Sequence, residues 1–207
     1  MFKNHKCKYK EKCRNDVFKL VKHKAKQKLK SRIFTLPSTN FKLEERILNN
    51  IPCQIITAEN KKEIFKVQKK NNPGSKSLIL NHGDAFKVLE KYNNYPFDVV
   101  WLDLCGPLSF NNVNNFLSFI QTGNLSNNSY VCITFACRRE TQSKDITDFY
   151  GLNSIDEFRK VTFPKLVKEF AKMANRKTSL IKKFYYKSEE HTKSMPMQML
   201  TFKINTK

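Results

Sequence analysis

Asp103 closes the most informative stretch of the chain, Phe97-Asp98-Val99-Val100-Trp101-Leu102-Asp103, where a run apolar on both faces meets an acid and then the turn Leu104-Cys105-Gly106-Pro107. A carboxylate at the carboxyl end of a buried strand can accept hydrogen bonds from a ligand, because open α/β sheets bind ligands along that edge. Capping of the following helix is the alternative role for one isolated Asp. Cys105 would be a nucleophile if its thiolate were stabilised, but no His stands near it in sequence, and packing as a buried cysteine is the simpler reading. His5, Cys7, Cys13 and His23 invite a zinc reading, yet they lack the paired C-x2-C spacing of strong zinc sites, so no metal is expected.

Charge narrows the partners. Thirty-nine Lys and Arg against 18 Asp and Glu leave +21 on 207 residues, far more than solubility requires, which points to a polyanion and to nucleic acid first, DNA or RNA. An AT-rich genome, which inflates Lys, Asn and Ile, is the bland alternative. Residues 1–31 form a basic arm, followed by one α/β domain over 32–207. Within the arm Val17, Val21, Ala25 and Leu29 recur every four residues, predicting a helix whose narrow apolar stripe docks on the domain. Lys19, Lys22, Lys24, Lys26, Lys28 and Lys30 would form its cationic face and track phosphates; an anionic membrane surface or a nuclear-targeting signal reads similarly. No apolar run approaches the roughly 18 residues of a membrane span. The scattered cysteines suit reduced thiols, so the chain is expected to be soluble and intracellular, cytoplasmic or nuclear in a eukaryotic host.

Alternating elements must position the acids. Strands are predicted at 32–38, 53–58, 77–80, 97–103 and 130–136, with helices at 40–50, from 61, at 85–92, at 113–120 and across 155–173. Ile64, Phe65 and Val67 are placed on the inner side of the second of these helices. Short helical crossovers make the five strands parallel, whereas 180–186 and 197–204, joined by a polar connection alone, make an antiparallel hairpin. The expected fold is a Rossmann-like, mostly parallel seven-stranded sheet with helices on both faces.

That arrangement resembles the class I S-adenosylmethionine-dependent methyltransferases across residues 32–207. The resemblance implies that Glu59, in Ile55-Ile56-Thr57-Ala58-Glu59-Asn60, accepts the ribose hydroxyls of the cofactor. It implies that Asp84, in Asn81-His82-Gly83-Asp84-Ala85, meets the adenine amino group, a role compatible with capping the next helix. It sets Asp103 beside the methyl donor and acceptor, as the catalytic residue, and the Leu36, Pro37 and Ser38 turn against the methionine portion. Asp103 thereby joins Leu36, Pro37, Ser38, Glu59 and Asp84 in the implied cofactor site. His82 either lines that pocket or sits on the surface.

Two departures accompany the resemblance. The glycine-rich turn after strand one is replaced by Phe34-Thr35-Leu36-Pro37-Ser38-Thr39-Asn40-Phe41, which keeps backbone amides at a helix N-terminus without a glycine. Glu44 or Glu45 beyond it could aid the methionine end, but a solvated helix face is the simpler reading for both. Asp103-Leu104-Cys105-Gly106 also lacks the prolines and aromatic of enzymes that methylate base amines. Ile51-Pro52-Cys53-Gln54 superficially resembles the nucleophile motif of cytosine-C5 methyltransferases, but it precedes strand two, so Cys53 reads as a strand thiol. Tyr185 and Tyr186 fall on opposite faces of the hairpin. The expectation is a methyltransferase acting on nucleic acid, the alternative a catalytically inactive nucleic-acid-binding module of the same fold, with oligomeric state open.

Overall fold

The structure, a computed structural model, describes residues 8–137, 144–186 and 196–206. The elements are α1 (Lys8–Ala25), β1 (Ser31–Thr35), α2 (Lys42–Leu48), β2 (Cys53–Glu59), α3 (Lys62–Lys70), β3 (Leu78–His82), α4 (Ala85–Lys91) and β4 (Phe97–Pro107). They continue with α5 (Phe110–Thr122), β5 (Leu125–Ala136), α6 (Lys144–Tyr150), α7 (Ile155–Glu157), a π-helical turn over Phe158–Thr162, α8 (Phe163–Met173), β6 (Arg176–Tyr186) and β7 (Met197–Thr206). The seven strands form one sheet in the order β3-β2-β1-β4-β5-β7-β6. Five are parallel, and β7 runs antiparallel to both β5 and β6. The order reverses between β1 and β4, so the crevice at the carboxyl ends of the strands is the ligand-binding edge for this topology.

Each sheet face carries its own core. Phe34, Ile56, Val100, Leu102, Val131 and Ile133 pack against α4, α5 and α8, while Ile33, Ile55, Val99, Trp101 and Cys132 meet α1 and α2. The helix of the basic arm is therefore one of the covers of the sheet. Its buried stripe is Cys13, Val17 and Val21, all fully buried. Burial of each valine is worth about 1.5–3 kcal/mol.

The structure corrects several sequence expectations. Leu29 is 99% exposed, because α1 ends at Ala25 and the stripe ends with it. Lys24 is 2% exposed, its Nζ donating to the Asn127 carbonyl at 3.0 Å, and burial holds its ammonium below the usual lysine range. Lys28 pairs with Asp98 at 2.8 Å. Lys19, Lys22, Lys26 and Lys30 of the expected cationic face are exposed, as is Lys28 beside its aspartate. In α3, Val67 is exposed and Gln68 buried, so the inner face is turned by one residue. Strand four does not stop at Asp103. It continues to Pro107, with its pairing to β5 irregular between Asp103 and Pro107.

His5 and Cys7 lie outside the described residues, and the Cys105 side chain is also outside them. Cys13 is buried and His23 meets the Tyr130 hydroxyl at 3.2 Å, ten positions apart on one helix or about 15 Å. Among the described residues no helix is long and apolar enough to cross a membrane, and no three His, Cys, Asp or Glu gather to hold a metal.

Candidate active site

Leu36, Pro37, Ser38, Glu59, Asp84 and Asp103 all line one cavity of about 430 Å³ at the carboxyl edge of the sheet. That volume is in the range of small-ligand sites. Each acid reaches it for a different local reason. Glu59 is the last residue of β2, and its Oε1 accepts from the Lys61 backbone N–H at 2.8 Å, which closes the turn into α3. Asp84 caps α4, its Oδ1 accepting from the N–H groups of Phe86 at 2.9 Å and Lys87 at 3.1 Å. Capping leaves the second oxygen of Asp84 for another partner. Asp103 is not a cap: Ser109 caps α5, accepting from Asn112 N–H at 3.3 Å.

Strand alternation sets the surroundings of Asp103. It shares a face with Val99 and Trp101, and so lies beneath α1. Lys10 Nζ stands 2.9 Å from Asp103 Oδ2, and both residues line the cavity. Asp103 Oδ1 is buried and accepts no hydrogen bond among the described residues. Burial and the Asp103 charge together push the nearby Cys13 thiol up to about 12.

Helix α1 runs antiparallel to β4 with a lysine–aspartate pair at each end. Lys10 meets Asp103 at the cavity; Lys24 and Lys28 meet Asp98 near the start of the strand. Asp98, 1% exposed, also accepts from the Arg32 N–H at 2.9 Å and from the Ser126 hydroxyl. This carboxylate ties α1, β1, β4 and β5 together.

The turn after β1 reaches the cavity without a glycine. Phe41, wholly buried, takes the left-handed conformation at φ 46 and starts α2. Such a backbone costs a β-substituted residue of order 1–3 kcal/mol and persists only where packing over-determines it. Gln68 Nε2 of α3 donates to the Pro37 carbonyl at 2.9 Å, and Asn71 Nδ2 to the Thr39 carbonyl at 2.9 Å. Side chains from a neighbouring helix thus fix a turn that glycines would otherwise shape.

Glu44 departs from the solvated role expected for it. It is 2% exposed and accepts from the Thr35 hydroxyl at 2.7 Å. Burial raises its pKa, opposed by that hydrogen bond and by Arg14 and reinforced by Asp103. Other candidates fall away from the cavity. His82 stacks on Phe65 at 5.0 Å, and Cys53 begins β2 at the opposite edge, where burial pushes its thiol up to about 11. Tyr186 is buried and Tyr185 faces solvent. Lys10 and Gln68 are not singled out by the sequence. The signal for Lys10 was available, since it precedes Cys13 by three positions on the same helix face as Val17 and Val21.

No family model matches this chain, and no curated protein sequence matches it. Solved structures do. The chain superposes on TYW2 of Pyrococcus horikoshii, solved in complex with MeSAdo, with a TM-score of 0.56 at 10% identity over 94% of this chain and 62% of that one. Trm1 of Pyrococcus horikoshii, solved with S-adenosyl-L-methionine, gives a TM-score of 0.58 at 12% identity over 93% and 54%. The fibrillarin pre-rRNA processing protein of Methanococcus jannaschii gives 0.54 at 17% identity over 86% and 68%. This chain thus spans about three-fifths of the TYW2 chain and about half of the Trm1 chain. Together with the strand order, these likenesses define the fold: a divergent class I S-adenosylmethionine-dependent methyltransferase fold.

Proposed function

We propose that the chain is an S-adenosylmethionine-dependent methyltransferase acting on nucleic acid. The observation that carries the proposal is the convergence of Glu59, Asp84, Asp103 and the Leu36–Ser38 turn on one cavity at the switch point of the sheet. Glu59 offers carboxylate oxygens to the vicinal ribose hydroxyls, and the Asp84 oxygen not engaged in capping accepts from the adenine amino group. The turn held by Gln68 and Asn71 lies against the methionine portion. The bound cofactor would supply an electrophilic methyl group on a sulfonium. The protein's task is then to exclude water and aim an acceptor, which positioning alone accelerates strongly. Asp103, whose carboxylate lines the cavity beside Lys10, is the group we assign to accept a hydrogen bond from that acceptor.

The nucleic-acid part rests on charge. Lys19, Lys22, Lys26 and Lys30 stand in solvent on a chain of net charge +21. A second reading, a non-catalytic nucleic-acid-binding module, is favoured by one feature: Lys10 already occupies Asp103 Oδ2. Transfer of labelled methyl groups from S-adenosylmethionine to pooled RNA or DNA distinguishes the two. Labelled nucleic acid, lost with Asp103→Ala, supports the enzyme; salt-steep binding with no transfer supports the module. Replacing the four exposed lysines by Ala should flatten the dependence of log affinity on log salt by about 0.7–0.9 for each phosphate no longer neutralised.

A further inference from the structure

Lys10 sets the charge balance at the β4 end of the cavity. Its Nζ is 2.9 Å from Asp103 Oδ2, with the lysine side chain 34% and the aspartate side chain 5% exposed. The aspartate is therefore fixed in the wall, while the ammonium reaches it from the solvent side on a flexible stem. The other aspartate oxygen is buried and accepts from no group among the described residues. A carboxylate so placed attracts a second cation, and the lysine beside it repels one.

We infer that Lys10 is a specificity-determining residue, which sets the preference of the site between a cationic and a neutral sulfur centre. The inference rests on the cofactor reading above. With adenosine at Glu59 and Asp84, the methionine end falls toward the Leu36–Ser38 turn and Asp103. S-adenosylmethionine brings a positive sulfur to that end; S-adenosylhomocysteine, otherwise alike, brings a neutral one. Lys10 cancels much of the Asp103 charge and so narrows the advantage of the sulfonium. Without it, Asp103 faces the sulfur uncompensated, and the sulfonium gains over the thioether.

Calorimetric titration of both ligands into the full chain, Lys10→Met and Lys10→Arg tests this. Lys10→Met is expected to raise the affinity ratio, S-adenosylmethionine over S-adenosylhomocysteine, about tenfold, as removal of one nearby charge in a partly screened site implies. Lys10→Arg, which keeps the charge, is expected to keep the wild-type ratio. Because the result is a ratio within one protein, a small loss of folded fraction in a variant does not alter it. Equal changes for both ligands in Lys10→Met, or none, overturn the inference and leave the cofactor reading standing. Binding of neither ligand to any of the three proteins removes the cofactor reading and the inference with it.

Discussion

Replacing Asp98 by Asn should cost the protein about 3 kcal/mol of stability. Its carboxylate, 1% exposed, is held by Lys28 Nζ at 2.8 Å, by the Arg32 N–H at 2.9 Å and by the Ser126 hydroxyl, with the buried Lys24 Nζ at 4.0 Å. Removing one partner of a buried ion pair costs about 3–5 kcal/mol, since the other charge is left desolvated. Lys28 adds little, because its side chain is 39% exposed and exposed pairs are worth about 0–1 kcal/mol. Asn keeps one acceptor oxygen but turns an amide toward an ammonium or a backbone donor, so the lower end of the range applies. For a chain of this size the melting temperature should fall by about 6–12 °C. Urea denaturation of Asp98→Asn measures the loss, with Lys28→Met as a control that should cost under about 1 kcal/mol. A loss below about 1 kcal/mol in Asp98→Asn would refute the view that this carboxylate anchors α1 to the sheet.

Glu44 should give stability a pH dependence. A carboxyl whose folded pKa is raised binds more protons in the folded state, so stability falls as pH rises above the ordinary value of 4.5 toward the raised one, and then levels. Denaturation measured across that interval should show the slope in the wild type and a flatter profile in Glu44→Gln. Gln68→Ala, which leaves the Pro37 carbonyl without its donor, should cost about 1–3 kcal/mol by the same assay and weaken cofactor binding through the loosened turn.

Glu59 is legible because it closes an apolar run, and such runs place their last residue at one edge of a parallel sheet, whereas Asp84 follows β3 as the cap of α4. The hairpin was legible from the lack of room for a crossover. Where residues serve long-range contacts, sequence patterns misled. Lys24 reads as one more charge on a basic face, and only the approach of Asp98 and Asn127 explains its burial. Val67 reads as the inner residue of α3, yet Gln68 takes that place to hold a carbonyl 31 residues away. Asp103 looks like a strand end, and the strand runs on to Pro107. The Lys10–Asp103 pair joins the arm to the cavity near the carboxyl end of β4, and although the helix face of Lys10 can be read locally, its partner cannot. Deleting residues 1–31 would uncover the sheet face that Cys13, Val17 and Val21 cover, so charge-neutralising substitutions are the cleaner probe of the arm.

The most direct measurement is calorimetric binding of S-adenosylmethionine to the full chain, with Glu59→Ala beside it. Saturable binding that Glu59→Ala weakens by tenfold or more, while the variant melts as the wild type does, is the expected result. No binding to a folded wild-type protein, or binding indifferent to Glu59, would contradict the assignment of the cavity at the strand edge as a cofactor site.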